Sequence, residues 1–243
     1  MDDQAHERLP LFPLGTPLVP GSSLELHVFE PRYRRFVEHL LAAPEPRRDF
    51  GVVALRGGGE VGDDVADDLG AVHVVGCAAH LQEAVALPDG RFELSALATR
   101  RFVLHAIEPG EGEPRGPRSG ARWAQGSVRW LADEPGDDAD ELAVPVAQLL
   151  ARYVAALPGS IAGGLDLPEA GVALDAVGVS YAVARAVVLA VHERQALLEA
   201  PDAAARLRLA RRLLRREHAL LTGGLPSLPV SRADLAGEPL SVN

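Results

Sequence analysis

The hydrophobic pattern of this chain changes its period once, and that change sets the architecture. Up to about residue 131, apolar residues come in short β-prone runs separated by turn residues; from about residue 139 they recur at three- and four-residue intervals. Side chains alternate faces along a strand but return to one face of a helix every 3.6 residues or so, about 100° apart. The order of the two patterns predicts an α+β chain, strands first and helices after. Its 243 residues suit one large domain or two small ones, with a sizeable core in either case.

In the first half, the runs 24–29, 50–55, 72–81, 91–97, 101–107 and 125–131 read as strands. Pro88-Asp89-Gly90 is a tight turn, because proline fixes one dihedral and glycine permits a positive φ. It is expected to close a hairpin between the 72–81 and 91–97 runs. One helix interrupts the strands. Pro31 suits its first position, and Tyr33, Phe36, Val37, Leu40 and Leu41 fall on one face that packs on the sheet. The β-rich domain is expected over 9–132, after a polar, disordered stretch over 1–8. Two acidic segments, around Asp63 and around Asp137, and the Pro/Gly-rich stretch 109–120 read as solvated loops.

The helical subdomain is expected over 139–222. A first helix covers 142–157 and stops at Pro158-Gly159. Asp175 is a good N-cap for a second, with Val177, Tyr181, Ala184, Val188 and Val191 along one face. A short helix follows over 193–199. Asp202 then caps a long helix whose apolar stripe is Leu207, Ala210, Leu213, Leu214 and Leu221. The stretch 223–243, rich in Gly and Pro, is expected to be largely irregular.

Composition excludes whole classes of chemistry. All 24 basic residues are arginines. A Walker-type phosphate loop, Schiff-base catalysis and a serine–lysine hydrolase each need a lysine. Arginine stays protonated and cannot replace it as a base. With 34 acidic residues the net charge is −10, which opposes nonspecific nucleic-acid binding. The single cysteine, Cys77, cannot form an intramolecular disulfide and reads as a packed strand thiol in a reducing compartment. The N-terminus lacks the apolar core of a signal peptide, and no apolar run approaches the ~18 residues of a membrane span. A soluble, cytoplasmic protein is expected.

The motifs that suggest catalysis fail on context. Gly57, Gly59 and Gly62 spell G-x-G-x-x-G, but four aspartates follow where a helix N-terminus would have to receive a pyrophosphate. Ser180 sits in an approximate nucleophile elbow, yet within a helical pattern rather than at a strand-to-helix turn. The eight histidines show no zinc-ligand spacing, and His73 with His105 is too small a set for a metal. No catalytic residue, cofactor or metal is assigned. The one unusual charge feature is Arg206, Arg208, Arg211, Arg212, Arg215 and Arg216, a basic helix segment on an acidic protein. Of these, Arg208, Arg212 and Arg215 are expected to point outward, either as a solvated face or as a docking surface for an acidic partner.

Leu9-Pro10-Leu11-Phe12-Pro13-Leu14, Val19-Pro20-Gly21 and Phe29-Glu30-Pro31-Arg32-Tyr33 follow one another near the N-terminus. Phe50-Gly51-Val52-Val53, Val75-Gly76-Cys77-Ala78, Leu87-Pro88-Asp89-Gly90-Arg91-Phe92 and Arg100-Arg101-Phe102 come next. Glu193-Arg194-Gln195-Ala196-Leu197-Leu198-Glu199 and Arg206-Leu207 complete the set. In this order they resemble the N-terminal, substrate-binding domain family of Lon protease, and most of all its free-standing bacterial members. The resemblance covers roughly residues 9–221. It implies a PUA-like pseudo-barrel of about six strands with one inserted helix, followed by a helical bundle. It also implies a role in recognising substrate proteins, without the ATPase and protease modules whose lysines this chain lacks.

The reading that results is a non-catalytic protein-binding module, an adaptor or regulator in protein quality control. Its partners would be proteins or unfolded polypeptides, including an acidic protein surface, with no membrane and no nucleic acid. Phe29, Glu30, Arg32 and Tyr33 at the strand-to-helix corner, and Arg208, Arg212 and Arg215 on the last helix, are the candidate contact residues. The rival readings are RNA binding through the PUA-like barrel, which needs a basic groove and aromatics for stacking, and an uncharacterised hydrolase. The oligomeric state is left open.

Overall fold

A strand that the periodicity did not reveal organises the first half of the molecule. The computed structural model describes residues 6–56, 69–110, 123–167, 174–223 and 240–241, in two compact units: Met1–Leu131 with Pro239–Asn243, and Ala132–Glu238. In the first unit, β1 (Glu7–Leu14) lies between two neighbours. It pairs in parallel with β3 (Asp49–Ala54) and antiparallel with β6 (Ala124–Trp130). Pro10 and Pro13 are the reason the sequence runs omitted it: each removes a ladder N–H, and proline is normally confined to edge strands. Glu7 and Arg8, in the stretch expected to be disordered, belong to this strand.

The remaining strands close a ring. β3 pairs with β4 (Val75–Ala86), β4 with β5 (Phe92–Pro109), and β5 with β6, which returns to β1. The runs 91–97 and 101–107, read separately in the sequence, are one strand, β5; the β4–β5 and β5–β6 ladders carry register shifts at Cys77/Ala79, Leu81/Glu83 and Leu104/Ala106. Such bulges bend a strand and increase its twist. Along the N-terminal part of β5, which stays paired with β4, the other side is taken by β2 (Ser23–Val28) instead of β6. The Pro88–Gly90 turn closes the β4–β5 hairpin as expected, with Gly90 at φ 80° and the Leu87 N–H donating to the Arg91 carbonyl at 2.8 Å.

The interior of the ring shows why several short motifs contain glycine. The Phe102 ring is fully buried and occupies the space that side chains at positions 51 and 76 would need. A Cβ at Gly76 would sit 2.5 Å from the Phe102 ring and 2.5 Å from the Val52 carbonyl oxygen; one at Gly51 would lie 2.9 Å from Leu11 and Phe102. Around Phe102 pack Leu9, Leu11, Val53, Ala78, Leu104 and Val128.

Helix α1 (Pro31–Ala42) buries Tyr33, Phe36, Val37 and Leu40, whereas Leu41, expected on the same face, is exposed. Phe36 makes edge-to-face contacts with Phe12, Phe50 and Trp123 at centroid distances of 5.5, 5.5 and 6.0 Å. Geometries of this kind favour the aromatic quadrupoles. Cys77 is fully buried.

The second unit is helical: α2 (Ala139–Ala156), α3 (Gly159–Ala162), α4 (Ala176–Ala186), α5 (Val191–Glu199) and α6 (Ala203–Thr222). Helix α6 packs on both α2 and α4, which also meet each other. Asp175 and Asp202 cap α4 and α6, accepting from the Gly178 and Ala205 N–H groups at 2.7 Å each. Helix α4 stops at Ala186, short of Val188 and Val191, which the sequence pattern had placed on its face. Within the stretch expected to be irregular, Leu240–Ser241 forms a short strand, β7, that pairs in parallel with β2. The glycine pattern at 57–62, the Asp63 segment and most of 109–120 lie outside the described residues. No helix among the described residues is long and apolar enough to cross a membrane.

Gly76→Ala is expected to destabilise the protein by about 1–3 kcal/mol, because backbone as well as side chain must yield to the added carbon. Thermal denaturation checks this; a melting temperature equal to that of the parent would show that the ring interior has slack.

Candidate functional site

The two sets of candidate contact residues differ sharply in how far they can reach a partner. At the β2–α1 corner, Arg32 and Tyr33 are only 2% exposed. Glu30 sits at the N-cap position and forms an ion pair with Arg32, its Oε2 2.8 Å from Arg32 Nε. The Arg32 guanidinium lies 4.7 Å from the centre of the Tyr33 ring, which stacks on Phe12 at 4.4 Å. Arg32 and Tyr33, both candidate contact residues, thus hold the corner from inside and present little surface. Phe29 and Glu30 are half-buried and remain reachable.

The arginines of α6 divide by helical position into interior and surface groups. Arg206 faces the apolar side and is wholly buried. Its Nε donates to the Leu197 carbonyl at 3.0 Å, one terminal nitrogen donates to Ser180 Oγ at 2.9 Å, and the other lies 3.5 Å from Asp133 Oδ1. The Tyr181 ring covers the guanidinium at 4.0 Å, and the Tyr181 hydroxyl donates to the same Asp133 oxygen at 2.5 Å. Ser180 is thus a buried packing residue. Beside it stands a guanidinium, which cannot take a proton from the hydroxyl, and Ser180 donates instead to the Val177 carbonyl at 2.6 Å. That arrangement gives Ser180 no neighbouring base among the described residues, and so no role as a nucleophile.

Arg216 is tied down by a different pair of carboxylates. It forms a two-pronged ion pair with Glu193 and contacts buried Glu217 at 2.7 Å. The Arg216 hydrogen bonds hold the Glu193 carboxyl below its ordinary value of 4.5, against the opposing effect of burial. Glu193 also accepts from the Ala190 N–H at 3.2 Å, at the start of α5. This is half of a capping box, since alanine offers no side-chain acceptor in return.

Arg208, Arg212 and Arg215 are exposed, at positions that follow one face of the helix. Arg208 donates to the Asp137 carbonyl at 3.2 Å and lies 3.6 Å from the Asp138 carboxylate, so the acidic loop does balance part of the face. Arg212 and Arg215 make no ion pair with any described residue.

The structure offers no platform for stacking nucleic-acid bases. All six phenylalanines, three tyrosines and two tryptophans are described; only Phe29 and Trp130 are less than buried, and neither is exposed. The Trp130 face is already covered by Arg100 at 3.4 Å, and its Nε1 donates to Glu7 at 2.6 Å. Among the described residues, no group of three or more His, Cys, Asp or Glu side chains is placed to hold a metal. His105 lies against His6, with ring centroids 4.4 Å apart, and His73 is not part of that contact.

A strand ring with an inserted helix, together with a helical unit, defines the class as an α+β fold. The family follows from the sequence match: over residues 8–216 the chain belongs to the family described as the ATP-dependent protease La (LON) substrate-binding domain. Two solved structures share its fold. One is the Lon N-terminal domain protein from Xanthomonas campestris, with 22% identity and a TM-score of 0.53. The other is the N-terminal domain of the Mycobacterium avium complex Lon protease, with 17% identity and a TM-score of 0.57. Each alignment covers 86% of this chain and 98% of the other. No curated protein matched the sequence.

Two outcomes separate the interior arginine from the surface ones. Arg206→Ala should cost about 3–5 kcal/mol, since it strands the buried groups that Arg206 satisfies. Changing Arg208, Arg212 and Arg215 together to Gln should leave the melting temperature nearly unchanged, because exposed ion pairs contribute only about 0–1 kcal/mol each.

The Glu193–Arg216 pair gives a pH signature. Its carboxyl is stronger in the folded chain than in the unfolded one, so its stabilisation is complete above the ordinary glutamate range and is lost as pH falls through the lowered folded value. The difference in melting temperature between Glu193→Gln and the parent should therefore be present at neutral pH and shrink in acid. A difference that stays constant with pH would assign the effect to packing.

Proposed function

We propose that this chain is a cytoplasmic module that binds protein clients non-covalently and serves as an adaptor or regulator in protein quality control. Its membership of a substrate-binding domain family carries this reading. The free surface of α6 supplies its chemistry. Arg212 and Arg215, with Arg208 tethered beside them, present planar donors suited to carboxylates, so an acidic protein surface is the natural partner for that face. Phe29 and Glu30 provide a second, smaller contact at the β2–α1 corner. RNA binding is the weaker reading because the aromatics it needs are packed away.

A binding measurement decides between them. Fluorescence anisotropy with a reduced and alkylated, permanently unfolded polypeptide should show saturable binding that persists at about 1 M salt, where the Debye length is only about 3 Å. Binding of an acidic partner should instead weaken with salt and fall in the Arg208, Arg212 and Arg215 to Gln variant. No polypeptide binding, together with salt-sensitive retention of single-stranded RNA, would reverse the assignment.

A further inference from the structure

The outer edge of β2 is taken in this structure by a piece of the same chain. β7 pairs in parallel with it, Leu240 in register with Leu26 and Ser241 with His27. The other side of β2 is paired along its whole length with β5, from Ser23↔Leu97 to Val28↔Phe92. Among the described residues, two of its six register positions are thus paired on the outer side, and Ser23 to Glu25 lie beyond the β7 pairing. The sequence of the covering segment limits its own hold. Pro239 immediately precedes β7, and proline has no N–H to extend a ladder.

We infer that the β2 edge is a site for an extended polypeptide strand, and that Leu240–Ser241 are its internal, displaceable occupant. An open sheet edge recognises a peptide through main-chain hydrogen bonds, and the side chains flanking the edge select its sequence. Here the flanking face is acidic. Glu25 on β2, Glu93 on β5 and Glu83 on β4 are all exposed, and the pairing sets Glu25 opposite Ser95 and Ser95 opposite Glu83 in one cross-strand row. The strand that fits is therefore proline-free and carries a basic residue in register with Glu25. In the parallel register of β7, that is the position just before Leu240, where this chain has Pro239. Replacing that proline with arginine in a peptide supplies both the missing N–H and the complementary charge. This inference names a site for the client binding proposed above and rests on that reading.

The test uses a fluorescent peptide with the sequence of residues 236–243 carrying Pro239→Arg, and the protein lacking residues 239–243. The shortened protein should bind the peptide at least about tenfold more tightly than the full chain, because the tethered segment competes at an effective concentration near the millimolar range. The unsubstituted peptide should bind more weakly, and Glu25→Arg in the shortened protein should reverse the preference for arginine. A second variant, Leu240→Pro with Ser241→Pro in the full chain, keeps the length and should also open the edge. Equal binding by shortened and full chains, or none by either opened variant, overturns the inference. So does loss of the cooperative melting transition on shortening, which would make the segment part of the fold. If the full chain captures the unfolded polypeptide described above and neither opened variant nor Glu25→Arg alters that capture, the edge is not the client site and the functional reading stands. Absence of polypeptide capture by every form defeats the functional reading itself.

Discussion

The strand ring depends on one close contact between a phenylalanine and two glycines. The Phe102 ring fits only because positions 51 and 76 carry no side chains, and each of these residues sits on a different strand. The contact therefore joins β3, β4 and β5 at a single point in the interior. Volume there is fixed from both sides, since protein interiors pack about as densely as organic crystals. A larger residue at either glycine crowds Phe102, and at Gly76 it also meets backbone; a smaller one at 102 leaves a hole beneath three strands. The other apolar residues of the core, mainly Leu and Val, fill space around this point.

The helical unit is organised by a different constraint, a buried cation. Arg206, on α6, takes a fully interior position and is satisfied by a carbonyl, a hydroxyl, a carboxylate and an aromatic face drawn from the 133 loop, α4 and α5. Four segments must be in place at once for its charge to be tolerated. Buried ion pairs add little to stability against an apolar replacement, yet removing one partner is costly. Arg206 therefore acts as a geometric key for this unit, whereas Arg212 and Arg215, a few residues further along the same helix, are available to solvent.

Much of this was legible in the sequence, and the omissions have physical causes. The change of period separated strands from helices, Asp175 and Asp202 marked helix starts, and Pro88-Asp89-Gly90 marked the hairpin. Strand β1 escaped because Pro10 and Pro13 carry the local signal of an edge or loop, while its long-range pairing overrode that signal. The run 91–107 read as two strands because a local pattern does not show that a bulged strand continues. For the contact surfaces, helical spacing placed Arg208, Arg212 and Arg215 outward, as found. It could not reveal that a half-buried carboxylate and a buried hydroxyl were waiting for Arg206, since Asp133 and Ser180 are remote in sequence. Helical spacing already put Tyr33 on the face that packs on the sheet; the burial of its charged neighbour Arg32 is shown only by the structure.

The position of β1 also imposes an order on biosynthesis. One neighbour, β3, follows it after a short interval, but the other, β6, begins only at Ala124. With translation at about 5–20 residues per second, β1 waits several seconds or more for the strand that covers its second edge. During that interval β1 is paired on one side at most. A module that belongs to a family of substrate-binding domains thus passes, while it is being made, through a state that itself exposes an unpaired strand edge.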